Sequence, residues 1–167
     1  MTDTTSPIPI LLCGKSPTHI KATCDIVKPE FQGITRHMTS QRYLSNSLLT
    51  RVIVIRVCSD PEAARAALTV LMAPSSETPT LEGAEHPRPR AVIMGGGYSH
   101  DVFTSIRDSV EGATSVPWIR PFNVKPGVQR GSTPPSAEEI ASKVRKTLDE
   151  HLEEIQAGKG AGEVWWM

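Results

Sequence analysis

An α/β sandwich built on a mostly parallel sheet is the fold class this sequence predicts, and three observations predict it. Short apolar runs, Ile8 to Cys13, Val52 to Cys58 and Arg90 to Met94, each lead through a tight turn into a helical stretch with one apolar stripe. The helical stretches are preceded by residues that cap helices, namely Ser16, Asp60, Ser99 and Ser136. No repeat at a fixed period interrupts the alternation. Strands alternating with helices give three layers, a sheet of about four strands between two helical layers, because right-handed crossovers place helices on both faces. With a single reversal after the second strand, the expected order is 2-1-3-4. A chain of 167 residues has the length of one such domain.

The first unit is Ile8 to Cys13, bounded by Pro7 and Gly14, followed by Gly14-Lys15-Ser16-Pro17 and a helix with Ile20, Cys24 and Val27 on one stripe. Pro17 suits the first helical position, where its missing N–H has no partner to lose. The second unit is the β-branched run Val52 to Cys58, then Ser59-Asp60-Pro61-Glu62 with capping-box spacing, then a helix striped by Ala64, Ala67, Leu68 and Leu71. Residues 74–89 are polar and aperiodic and read as a surface loop. The third strand ends in Gly95-Gly96-Gly97-Tyr98, and Val102, Phe103, Ile106 and Val110 mark the next helix. Val116 to Ile119 is a fourth short strand, with Pro117 making it an edge strand or marking its first residue. Residues 122–135 form a second Pro/Gly loop. Ile140, Val144, Leu148, Leu152 and Ile155 then predict one long helix stopped at Gly158. The tail, Gly162 to Met167, carries two of the three tryptophans and is expected to pack on the body or on a partner.

Composition narrows the function classes. Eighteen Lys and Arg balance eighteen Asp and Glu, so the excess of positive charge that a nucleic-acid surface requires is missing. The first apolar run lacks a basic flank and is far shorter than the about 20 residues of a membrane span, which points to a cytoplasmic chain with no membrane partner. Cys13, Cys24 and Cys58 form no C-x-x-C and read as free thiols. The histidines, His19, His37, His86, His100 and His151, show no ligand spacing, and no metal is expected.

Gly33 to Arg51 has neither periodicity and lengthens a helix-to-strand link well beyond the usual about 2 to 6 residues, so it reads as a flexible insertion. A translated retained intron is a further reading. Gly33-Ile34 can be encoded across a splice donor, Leu49-Thr50 across a branch sequence and Ile53-Val54 across an acceptor. Excision would join Phe31-Gln32 to Val54 or Ile55. Transcript sequencing is expected to find a message without the segment; its presence in every mature message would exclude the intron.

In a parallel α/β sheet, ligands bind outside the carboxyl ends of the strands where the order reverses. The turns after the first and third strands, Gly14-Lys15-Ser16 and Gly95-Gly96-Gly97-Tyr98, are therefore the candidate site. Each opens a helix whose first N–H groups favour an anion, and glycines let backbone approach a phosphate or a flat ring. Sharper motifs fail. A Walker A loop would need Gly where Pro9 stands, and Gly97-Tyr98-Ser99-His100-Asp101 lacks the last glycine of a G-x-S-x-G elbow. The first turn has one glycine in place of G-x-G-x-x-G. Asp60, at the end of the second strand, is placed to reach a ribose hydroxyl or to cap its own helix.

The Ile10-Leu11-Leu12-Cys13-Gly14-Lys15 run, Ala91 to Tyr98, the Val116 to Pro121 strand, the long charged helix and the Val164-Trp165-Trp166-Met167 tail together resemble a family of short Rossmann-like proteins of filamentous fungi. Such proteins are loosely described as NAD(P)-binding-like, and some lie near secondary-metabolite genes. The resemblance covers most of the chain except Gly33 to Arg51 and assigns no reaction. It implies a small Rossmann-like or flavodoxin-like protein that binds a nucleotide or another phosphate ligand, NAD(P) among the candidates, as an accessory enzyme of fungal metabolism. Gly14, Lys15, Ser16, Gly95, Gly96 and Gly97 would hold the anion, with Asp60 toward a ribose. Tyr98, Trp118 and Arg120 would form the wall and clamp around the organic part. The alternative is a non-enzymatic interaction protein that dimerises or docks through the C-terminal helix and Trp tail.

Overall fold

Ile8 to Cys13 form β1 (Ile8–Cys13), buried along its length except at Pro9. Its alternating side chains face two different cores, as a central strand of a doubly covered sheet must. In this computed structural model residues 7–27, 52–73, 80–81, 84–129, 131 and 133–167 are described; the segment 33–51 lies outside them. After the first turn comes α1 (Pro17–Val27). Then follow β2 (Val52–Cys58) and α2 (Pro61–Leu71), whose N-terminus is capped by the Asp60 carboxylate accepting from Ala63 N–H at 2.7 Å. Within the stretch read as loop, β3 (Thr80–Leu81) and β4 (Ala84–Glu85) pair antiparallel.

The third unit is β5 (Ala91–Met94) and α3 (His100–Ser109), capped by the Ser99 hydroxyl, which accepts from Val102 N–H. After β6 (Trp118–Arg120) the chain makes a single 3-10 turn at Phe122–Val124. It continues through α4 (Ala137–Glu150), capped by Ser136, to α5 (Leu152–Gln156) and β7 (Val164–Trp166).

The main sheet has the order β2-β1-β5-β6-β7, and every neighbouring pair is parallel. Its first four strands keep the expected order 2-1-3-4. One face holds Leu11, Cys13 and Trp118 against Leu68, Leu71 and Ile106 of α2 and α3. The other holds Ile10, Leu12 and Ile119 against Val27 of α1 and Val144, Leu148 and Ile155 of α4 and α5. Cys13 and Cys58 are register partners at the end of β1 and β2, and both are free thiols. A thiol hydrogen bond between them, together with burial, holds Cys13 well above the ordinary thiol range, and the same bond draws Cys58 below it. No described helix is long and apolar enough to cross a membrane.

Two expectations need correction. The sheet has five strands, because the tail is itself a strand: β7 runs parallel to β6, with Trp118 N–H donating to Glu163 O and Met167 N–H to Arg120 O, both at 3.0 Å. Alternation in a three-residue run is too short to read from sequence. β6 is therefore internal, and Pro117, just before it, needs no ladder donor. The long C-terminal helix is also divided. His151 leaves helical geometry (φ −109°, ψ 11°) and stacks its ring on Trp165, with centroids 3.9 Å apart and planes 7° off parallel. Stacking against β7 orients the break that apolar periodicity alone runs straight through.

Gly160 fixes the approach to β7. It sits at φ +78°, and a Cβ there would lie 2.7 Å from Trp165 Cζ2. A Gly160→Ala substitution therefore combines left-handed strain with overpacking and is expected to destabilise by about 2 kcal/mol or more. Deleting residues 162–167 removes buried Trp165 and the whole of β7, at a cost of about 3 kcal/mol or more. Thermal melting should show the deletion as a fall of about 6 to 12 °C. An unchanged melt would mean that β7 adds nothing to the fold.

Candidate functional site

The pairing of β1 with β5 carries both glycine turns out of the sheet at one level, because Cys13 and Met94 are register partners. Gly95 N–H donates to Cys13 O at 2.8 Å, and Gly14 N–H donates to Cys58 O at 2.9 Å. The turns then touch: a Cβ on Gly97 would stand 3.0 Å from Lys15 Cβ, and one on Gly95 would stand 3.8 Å from Gly14 Cα. None of Gly95, Gly96 and Gly97 has a positive φ. At Gly97 the missing side chain serves close approach to Lys15 rather than an unusual backbone conformation.

Above these turns lies a cleft of about 670 Å³. Gly14, Lys15, Ser16, Gly95, Gly96 and Gly97 line one end of it. Its sides are His19, Ile20 and Thr23 of α1 and Glu139, Ile140, Lys143 and Val144 of α4, two helices packed together on one face of the sheet. Pro121, Phe122, Asn123 and Met167 line it beyond the end of β6. Phe122 is half exposed, and the buried Asn123 Oδ1 meets no donor among the described residues.

Polar groups concentrate near the first turn. The exposed Lys15 ammonium lies 5.3 Å from the centroid of the Tyr98 ring. The Lys143 ammonium is 2.9 Å from Glu139 Oε1, an i,i+4 pair open to solvent. His19 Nδ1 is 2.8 Å from Ser16 Oγ, and its Nε2 is 3.4 Å from Pro135 O. Cations and a hydroxyl thus meet apolar walls, an arrangement suited to a ligand with an anionic end and an organic body.

The structure separates the residues singled out from sequence. Gly14, Lys15, Ser16, Gly95, Gly96 and Gly97 share the cleft. Asp60 caps α2 and is not among its lining residues. Tyr98, Trp118 and Arg120 are fully buried and also lie outside the lining. The Tyr98 hydroxyl donates to Cys58 O at 3.5 Å, and burial pushes its phenol above the ordinary range. Trp118 Nε1 donates to Ala113 O at 2.8 Å, and its ring meets Phe103 edge to face at 5.3 Å. Arg120 Nη2 donates to Tyr98 O at 2.7 Å, with its guanidinium 4.4 Å from the Phe103 centroid. Desolvation lowers the Arg120 guanidinium to about 10. Its Nε and Nη1 have no partner among the described residues. These three side chains brace the Gly95 to Tyr98 turn from the core face.

Sequence reading missed the α4 wall and His19. The pairing of α1 with α4 is a long-range contact that no local period encodes. Ser16 three residues before His19 was the one available signal. Comparison with known proteins adds no relative: no family model, curated protein or solved structure matches the chain.

Gly97→Ala separates site geometry from stability. The added methyl would stand 3.0 Å from Lys15 Cβ and 3.3 Å from its Cγ and Cδ, so the Lys15 side chain must shift at its root, and the melt should fall by about 1 kcal/mol. Gly95→Ala meets only ordinary contacts and should leave Lys15 where it is. Structures of the two variants check this; Lys15 unmoved in Gly97→Ala would contradict it.

Proposed function

We propose that the chain binds a small nucleotide or another phosphate-bearing ligand in the cleft between α1 and α4. The observation that carries the reading is the convergence of the Gly14 to Ser16 and Gly95 to Gly97 turns where the strand order reverses. Doubly wound sheets of Rossmann-like or flavodoxin-like type take nucleotides at this point. Lys15 and the positive end of the α1 dipole meet the anion. The glycine turn lies against a phosphate or flat ring, and Ile20, Ile140 and Val144 take the organic part. A cleft of about 670 Å³ is within the range of about 300 to 1,000 Å³ usual for such ligands. NAD(P) is one member of the class; an accessory role in fungal secondary metabolism is what the family resemblance adds.

Thermal shift against AMP, ADP, NAD(P), FMN and inorganic phosphate tests the reading. A ligand at 100 times its dissociation constant should stabilise the fold by about 2.7 kcal/mol. Lys15 is exposed at a turn, so Lys15→Ala should move the melt by less than about 0.5 kcal/mol. The same substitution should weaken an anionic ligand about 10- to 100-fold. A panel without any shift, or Lys15→Ala binding as well as wild type, would overturn the assignment.

A further inference from the structure

The same cleft holds a hydroxyl–imidazole pair that anion binding does not require. Ser16 stands at the start of α1, and His19 lies one helical turn on, with both side chains half-buried in the cleft wall. Pro135 O can only accept, so the 3.4 Å contact assigns the ring proton of a neutral His19 to Nε2. Nδ1 is then an acceptor, 2.8 Å from the Ser16 hydroxyl, which donates to it. Capping is the weaker of the two bonds at this serine. His19 N–H reaches Oγ at 3.4 Å, longer than the cap bonds at Asp60, Ser99 and Ser136, which are 2.7, 3.3 and 3.1 Å. A hydroxyl bonded to an imidazole whose other nitrogen is held by a third group is the arrangement of an activated nucleophile.

We propose that Ser16 is the nucleophile of an acyl-transfer site, with His19 as its general base and the Pro135 carbonyl orienting the ring. The substrate class is a small carboxylic ester whose apolar acyl part lies along Ile20, Ile140 and Val144. Ser16 Oγ attacks the ester carbonyl carbon as its proton passes to His19 Nδ1. The carbon–alkoxide bond then breaks, and the alkoxide leaves as the alcohol with that proton. Water, deprotonated by the same nitrogen, cleaves the acyl-serine to the carboxylic acid and restores the hydroxyl. The proposal rests on the cleft being open to small ligands, as proposed above, but not on the identity of the anion.

An alkyl fluorophosphonate is the probe, used on the full chain. Ser16 Oγ should form a bond to phosphorus as the phosphorus–fluorine bond breaks, releasing fluoride and adding one alkylphosphonyl group that peptide mapping places on Ser16. His19→Ala should slow labelling at least about 100-fold, and free imidazole should restore it, which a merely structural histidine would not show. Ser16→Ala should carry no adduct; if that variant fails to fold, the wild-type peptide map decides. Folded wild type without an adduct, an adduct at another residue, or His19→Ala labelled as fast as wild type would each overturn the proposal. A nucleotide shift without the adduct removes the nucleophile alone, and an adduct without any nucleotide shift supports it while removing the anion reading.

Discussion

The parallel pairing of β1 with β5 is the constraint from which the site follows. Because Cys13 and Met94 are register partners, the chain leaves both strands at one end and one level, and the two turns must share the space above the sheet. They fit because Gly97 leaves room for the Lys15 side chain, 3.0 Å from where its own Cβ would stand. Right-handed crossovers then send α1 to one face and α3, which follows β5, to the other, so the turns diverge above the β1–β5 seam and open a cleft.

A second constraint is the buried guanidinium of Arg120. A cation with one backbone acceptor and two nitrogens, Nε and Nη1, that meet no partner among the described residues is costly to desolvate, and the lowering of its ionisation expresses that cost. The Phe103 ring face offsets part of it. β7 completes the enclosure: Met167 N–H bonds to Arg120 O, Phe122 N–H bonds to Met167 O, and the Trp166 ring lies 5.9 Å from the guanidinium. Arg120 in turn holds Tyr98 O, the end of the glycine turn. The tail, three strands away from β1 in the sheet, is thereby tied to the geometry of the cleft.

Much of this was legible in the sequence, and the failures have physical causes. The β1, β2 and β5 runs, the caps at Asp60, Ser99 and Ser136, and the order of the first four strands all follow from local pattern and crossover handedness. The two glycine turns were legible because a reversal point is a rule of topology rather than of any single residue. β7 was not, since three residues carry no measurable alternation and their pairing with β6 is set across the fold. Tyr98, Trp118 and Arg120 read as a ligand's wall and clamp from their places after the glycine turn and on the fourth strand, yet all three are buried. At Trp118 and Arg120 parity decides instead: on either side of Ile119, which faces the α1/α4 core, both must turn to the opposite face.

That parity also divides the consequences of substitution. On the α2/α3 face, side chains such as Phe103, Ile106 and Trp118 are closed to solvent, so changes there act on stability and reach the site only by moving the Gly95 to Tyr98 turn. On the α1/α4 face the helices meet deep in the sheet through Val27, Val144 and Leu148 and part above it, where Ile20 and Ile140 are only partly buried. Apolar groups left half-covered between two helices lose little when truncated and have most to gain from a ligand that covers them. Under the proposed function, Ile20 and Ile140 would set affinity at positions whose loss the fold tolerates, whereas the buried Val144 would serve ligand and core alike.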